Sequence, residues 1–147
     1  MVEPVPQSEP PPTWQRTILV VDDEDIVRAL VARSLRDSGY RVLQASHGAG
    51  AIRLLERDAQ EVDLVICDLV MPLVGGREVS DWMKDHCPGL PLLFISGYPR
   101  AHLEAHRLYD PSVPMLRKPF LPSRLLEAVG ELVDAGPPTE RRRAEGL

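Results

Sequence analysis

The chain has 147 residues, 44% apolar and 27% charged, which is enough for one globular domain and too few for two with comfortable cores. No apolar run approaches the roughly 18 residues of a membrane-spanning helix, and no apolar signal core follows Met1. The balance of 17 basic against 22 acidic residues, net -5, argues against a nucleic-acid binder, and Cys67 and Cys87 make neither a disulfide framework nor a metal cluster, so a reduced, cytoplasmic protein without membrane contact is expected.

In chain order, residues 1–15 hold Pro4, Pro6, Pro10, Pro11 and Pro12 and read as a proline-rich linker or tail. The folded domain is expected over residues 16–134. Residues 135–147, with Pro137, Pro138 and the arginines Arg141, Arg142 and Arg143, read as a disordered tail. Inside the domain, short apolar runs at 18–21, 42–45, 64–67, 92–95 and 113–116 have the length and branching of strands buried on both faces. Helical spacing lies between them. Ile26, Val27, Leu30, Val31 and Leu35 are expected on one face of a first helix that Gly39 stops. Ile52 and Leu55 mark a second helix, and Val79, Trp82 and Met83 a third. The fourth, over 101–109, is short and weak, bounded by Pro99 and Pro111. Leu125, Leu126, Val129, Leu132 and Val133 form the clearest stripe, in a fifth. No internal repeat is visible.

Strands alternating with helices imply right-handed crossovers and a parallel sheet covered on both faces. The expected fold is α/β: a doubly wound, flavodoxin-like, five-stranded parallel sheet of order 2-1-3-4-5, with its site at the carboxyl ends of strands 1 and 3. Strand 1 runs into Asp22, Asp23 and Glu24. Strand 3 ends at Asp68, followed by Met71-Pro72 and Gly75-Gly76. Strand 4 ends in Ser96-Gly97, and strand 5 is followed by Lys118-Pro119-Phe120. Carboxylates gathered at close range repel unless a cation neutralises them. Hard oxygen ligands without histidine or thiolate suit Mg²⁺, and a lysine among them suits a phosphoryl oxygen. A nucleophile, a metal and donors for developing charge are the parts of phosphoryl transfer to a carboxylate. A Gly-rich phosphate loop is missing, so nucleotide is not the obvious donor.

The acidic pair Asp22-Asp23, the stretch Cys67-Asp68-Leu69-Val70-Met71-Pro72, Ser96-Gly97 and Lys118-Pro119-Phe120 stand in order, each at a strand end. On these residues the domain resembles the response-regulator receiver domains of two-component signalling. The stretch Ser96-Gly97-Tyr98-Pro99 with the weak fourth helix is most similar to the C-terminal receiver of a hybrid sensor histidine kinase. The resemblance implies that Asp68 is the phosphoacceptor. It implies that Asp23 and Asp68 ligate Mg²⁺ directly with the backbone carbonyl of Val70, and that Asp22 acts largely through a bound water. Ser96 and Lys118 would each meet a phosphoryl oxygen, and Lys118-Pro119 would be a cis peptide. The implied partner is a sensor histidine kinase or a histidine phosphotransfer protein, with a weak homodimer as a further partner. Such a domain catalyses only its own phosphorylation and dephosphorylation.

Blander readings stand beside these. The acidic cluster also suits the start of a helix. Ser96 can be a turn residue and Lys118 a solvated one. His102 and His106, spaced i, i+4, can hold a metal or simply lie on the surface. Cys67, inside a strand, reads as an inert buried thiol. Two departures from the receiver pattern are visible: Met115 replaces the usual aromatic three residues before the lysine, and Leu121 replaces a hydroxyl cap before Pro122. Two rival functions remain. A Mg²⁺-dependent aspartyl-phosphate phosphatase would need a second acid where Val70 stands, and a degenerate receiver that only binds protein would not need the intact site.

Overall fold

A computed structural model describes residues 15–133. The proline-rich leader (apart from Gln15) and the C-terminal tail therefore lie outside the described residues. Five strands, β1 (Thr17–Val21), β2 (Arg41–Ala45), β3 (Leu64–Asp68), β4 (Leu92–Ser96) and β5 (Met115–Arg117), alternate with five helices. These are α1 (Asp25–Asp37), α2 (Gly48–Asp58), α3 (Gly76–His86), α4 (Arg100–Ala105) and α5 (Pro122–Val133). The strands are all parallel, in the order β2-β1-β3-β4-β5, as expected.

The pleat sends alternate residues of each strand to opposite faces, so one sheet serves two cores. Ile18 and Val20 of β1, with Ile66, Leu93 and Ile95, pack under α1 and α5. Leu19 and Val21, with Val65, Cys67 and Phe94, pack under α2, α3 and the buried Leu103 of α4. Residues of β1, β3 and β4 are buried on both sides, which is why these segments read as unbroken apolar runs.

Local chemistry sets the ends. Gly39, at φ 98, closes α1: its N–H donates to the Arg36 carbonyl at 2.9 Å and the Tyr40 N–H to the Leu35 carbonyl at 3.1 Å. Only a residue without a Cβ adopts that backbone cheaply. His47 begins α2 by accepting the Gly50 N–H on Nδ1 at 2.9 Å.

Two expectations need correction. Ile26 and Leu30 do not share the buried face of α1; they are 76% and 61% exposed, whereas Val31, Ala32 and Leu35 are buried. At 100° per residue the inward stripe runs through 27, 31 and 35, one step round from 26 and 30. Strand 5 spans Met115–Arg117 rather than 113–116. Residues 110–113 are instead folded into a turn in which Asp110 holds Ser112 and Val113, and Pro114 brings no N–H to the ladder. The α3 stripe holds: Val79 and Met83 are buried, Ser80 joins them, and half-buried Trp82 packs against the same core while stacking on His86 at 4.3 Å. No described helix is long and apolar enough to cross a membrane.

Candidate functional site

In a parallel sheet every strand delivers its carboxyl end to the same edge, and the chain leaves that edge in loops free to carry polar groups. Asp22 follows β1 directly. Its N–H still pairs with the Ala45 carbonyl of β2 at 3.2 Å, and its side chain is fully buried. Oδ1 accepts the Glu24 N–H at 2.9 Å, but Oδ2 has no hydrogen-bond partner among the described residues.

Asp68 is the last residue of β3 and is buried, with Oδ1 accepting the Val70 N–H at 3.4 Å. Its position is fixed from behind by Gly76, where an added Cβ would lie 2.7 Å from the Asp68 carbonyl oxygen and 2.7 Å from Leu69 Cα. Only a glycine lets α3 begin so close to the end of β3.

Lys118 enters from the far edge. Its N–H donates to the Ser96 carbonyl at 2.8 Å, and the Lys118-Pro119 peptide is cis. Its Nζ lies 3.2 Å from Asp68 Oδ2, 3.2 Å from Glu24 Oε1 and 3.4 Å from Asp22 Oδ2. Ser96, fully buried at the end of β4, accepts the Tyr98 N–H on Oγ at 3.1 Å.

The electrostatics follow from crowding. Burial, and then the neighbouring Asp22, push Asp68 up to about 6, although Lys118 and the Val70 N–H pull the other way. Burial works to lower the Lys118 ammonium, but Asp68 and Asp22 outweigh it and the net direction is up. Cys67 is fully buried, and burial first, then Asp68 and Asp22, push its thiol far up, which makes it an inert core residue.

The structure thus brings together Asp22, Asp68 and Lys118, with Ser96 on the adjacent strand end. Asp23 is exposed and is not among the three residues, Asp22, Glu24 and Asp68, of which one oxygen each lies within 4.8 Å of the others. Sequence reasoning counted Glu24 with the acidic cluster but gave it no task. Its reach to a lysine 94 positions later has no local signal. His102 and His106 are exposed, with their rings tilted at 43° and centroids 4.4 Å apart, and Tyr98 stacks on His102 at 4.8 Å. Among the described residues they join no group of three metal-ligating side chains.

The group can hold a hard divalent cation. Three carboxylates around one ammonium leave net negative charge, and the buried Asp22 Oδ2 lacks a donor that a cation or its bound water would supply.

Comparison with known proteins agrees with the architecture. The family model for the response regulator receiver domain matches residues 18–130. The sensor kinase CckA of Brucella abortus (strain 2308) is 33% identical over 118 residues, which are 80% of this chain and 12% of that protein. The autoinducer 1 sensor kinase/phosphatase LuxN of Vibrio campbellii is 37% identical over 55% of this chain and 9% of its own length. The chain thus spans only a small part of these curated relatives. Among solved structures, the receiver domain from the hybrid histidine kinase CckA superimposes with a TM-score of 0.67 at 35% identity, covering 80% of this chain and 98% of that one. A receiver protein from Sinorhizobium medicae WSM419 gives 0.72 at 31% identity, covering 82% and 95%.

Proposed function

From the premise that this chain belongs to the response-regulator receiver domain family of two-component signalling, we propose that Asp68 is its phosphoacceptor. The donor is a phosphohistidine on a sensor histidine kinase or a histidine phosphotransfer protein. The observation that carries this reading is the convergence of Asp68, Asp22 and Glu24 on Lys118 Nζ at the carboxyl edge of the sheet.

In the proposed reaction, one Asp68 carboxylate oxygen attacks phosphorus in line with the leaving imidazole nitrogen. The new O–P bond forms as the P–N bond breaks, and the electron pair leaves with the imidazole. Lys118 turns an N–H to one equatorial phosphoryl oxygen, and the Ser96 hydroxyl donates to another. Asp23, Asp68 and the Val70 carbonyl would hold Mg²⁺, with Asp22 Oδ2 accepting from a bound water. A cation held there would neutralise the carboxylates and draw charge from the transferring group. Buried Asp22 orients rather than reacts: its Oδ1 is committed to the Glu24 N–H.

Attack of water on phosphorus would break the Asp68 O–P bond, release inorganic phosphate and return the carboxylate, so the domain is an acceptor that resets itself. Incubation with Mg²⁺ and a small phosphodonor should add one phosphoryl mass to the intact protein, and Asp68→Asn should abolish the gain. An equal gain in the variant would refute the assignment.

A further inference from the structure

We infer that Glu24 is a positioning residue, which holds the Lys118 ammonium across the crevice in the unphosphorylated domain and is the partner that lets go when a phosphoryl group arrives. The inference rests on Asp68 being the phosphoacceptor. An ammonium has three N–H donors. Lys118 directs hydrogen bonds to Asp68 Oδ2 and Glu24 Oε1, each at 3.2 Å, and Asp22 Oδ2 stands 3.4 Å away without one.

The three carboxylates differ in their access to water. The side chains of Asp22 and Asp68 are 0% and 7% exposed, whereas that of Glu24 is 60% exposed over a lysine that is itself only 17% exposed. When Lys118 turns to a phosphoryl oxygen, a buried carboxylate left behind has no solvent to replace the lost donor. Glu24 does, so it is the exchangeable partner.

Glu24 is also placed for this task by its backbone. It is the N-cap of α1, yet its side chain makes no cap hydrogen bond, and its N–H is tied to Asp22 Oδ1 at 2.9 Å. The backbone is thereby anchored to the acidic floor while the side chain bridges to the loop after β5. Because the bridge competes with the phosphoryl group for the same donors, Glu24 weakens the phosphorylated state.

The test uses the beryllofluoride mimic at saturating Mg²⁺ on the full chain. Glu24→Gln should bind it about two- to fivefold more tightly, the scale of one exposed ion pair. Glu24→Asp keeps the charge but is one methylene too short to bridge, and should behave like Glu24→Gln. The chain has only two lysines, Lys84 and Lys118, so ¹⁵N-lysine labelling reports each ammonium. The Lys118 signal should move in both variants and on adding the mimic, with Lys84 unchanged. Wild-type affinity in Glu24→Gln with an unmoved Lys118 signal would overturn the inference. So would a Glu24→Asp variant that keeps wild-type affinity while Glu24→Gln binds more tightly, because that pattern means a diffuse charge effect rather than a bridge. Failure of the wild type to bind the mimic, or equal binding by Asp68→Asn, would instead bring down the phosphoacceptor reading.

Discussion

Asp68 stores unfavourable charge. Its carboxyl is held up at about 6 because burial and Asp22 oppose ionisation more than Lys118 supports it. A carboxyl raised on folding costs stability once pH exceeds its unfolded value near about 4, and the cost is complete above its folded value. Asp68→Asn should therefore be more stable than the wild type at pH 7 without Mg²⁺, by about 1 kcal/mol. The gain should vanish toward pH 4, as a thermal-melt series would show. Adding Mg²⁺ should raise the melting temperature of the wild type and hardly that of the variant. The proposed ligand set makes a second claim at the same scale. On the proposed ligand set Asp23 would contact the cation directly and Asp22 through water, so Asp23→Ala should weaken Mg²⁺ binding more in calorimetry. Equal losses would reject that ranking. Gly76 is the silent member of the site. Gly76→Ala would drive a Cβ into the Asp68 carbonyl and Leu69 Cα and should cost about 1–3 kcal/mol in denaturant melts.

Among the elements, α4 and the loop after it are where the fold is thinnest. Six residues form α4, and Leu103 is its buried anchor. The loop is held by a clasp instead. Lys84 Nζ of α3 donates to Asp110 Oδ2 at 2.8 Å, while Asp110 Oδ1 accepts the Ser112 hydroxyl at 2.7 Å and the Ser112 N–H at 3.0 Å. The Lys84 hydrogen bond and then that of Ser112 lower Asp110 to about 2. A carboxyl lowered on folding stabilises fully above its unfolded value and loses that contribution as pH falls through the folded one. Asp110→Asn should cost about 1–2 kcal/mol at pH 7, and the difference from wild type should shrink between about pH 4 and 2. The Tyr98 N–H donates to the Ser96 Oγ that the proposed mechanism turns toward the phosphoryl group. Hydrogen exchange with and without beryllofluoride should therefore change across residues 97–112 and little at Met115. A flexible methionine packed against the second core lacks the two-position behaviour of an aromatic ring. Unchanged protection over 97–112, with the change confined to β5, would reject this route.

As a whole molecule, the domain is one sheet between two separate cores, and that separation has a measurable consequence. Val129 of α5 and Val79 of α3 are both fully buried, on opposite faces. Val129→Ala and Val79→Ala should each destabilise by about 1–3 kcal/mol. With the sheet between them, the double variant should lose the sum to within about 0.5 kcal/mol in a single denaturant transition. Much of this architecture was legible beforehand. Unbroken apolar runs at β1, β3 and β4, the helical spacing at 125, 129 and 133, and Gly39 as a stop are local signals, and the handedness of crossovers turns them into one strand order. Asp22, Asp68, Ser96 and Lys118 were equally visible, because strand ends in a parallel sheet must share an edge. Tertiary structure alone decided the rotation of α1, which turns Ile26 and Leu30 to solvent, and the shortening of β5 by the Asp110 turn. It also decided that Lys84 clasps Asp110 and that Glu24 meets Lys118 across 94 positions. Periodicity states that a helix has an apolar side but not its angle to a neighbour, and side-chain pairs between distant loops exist only once packing has placed both backbones.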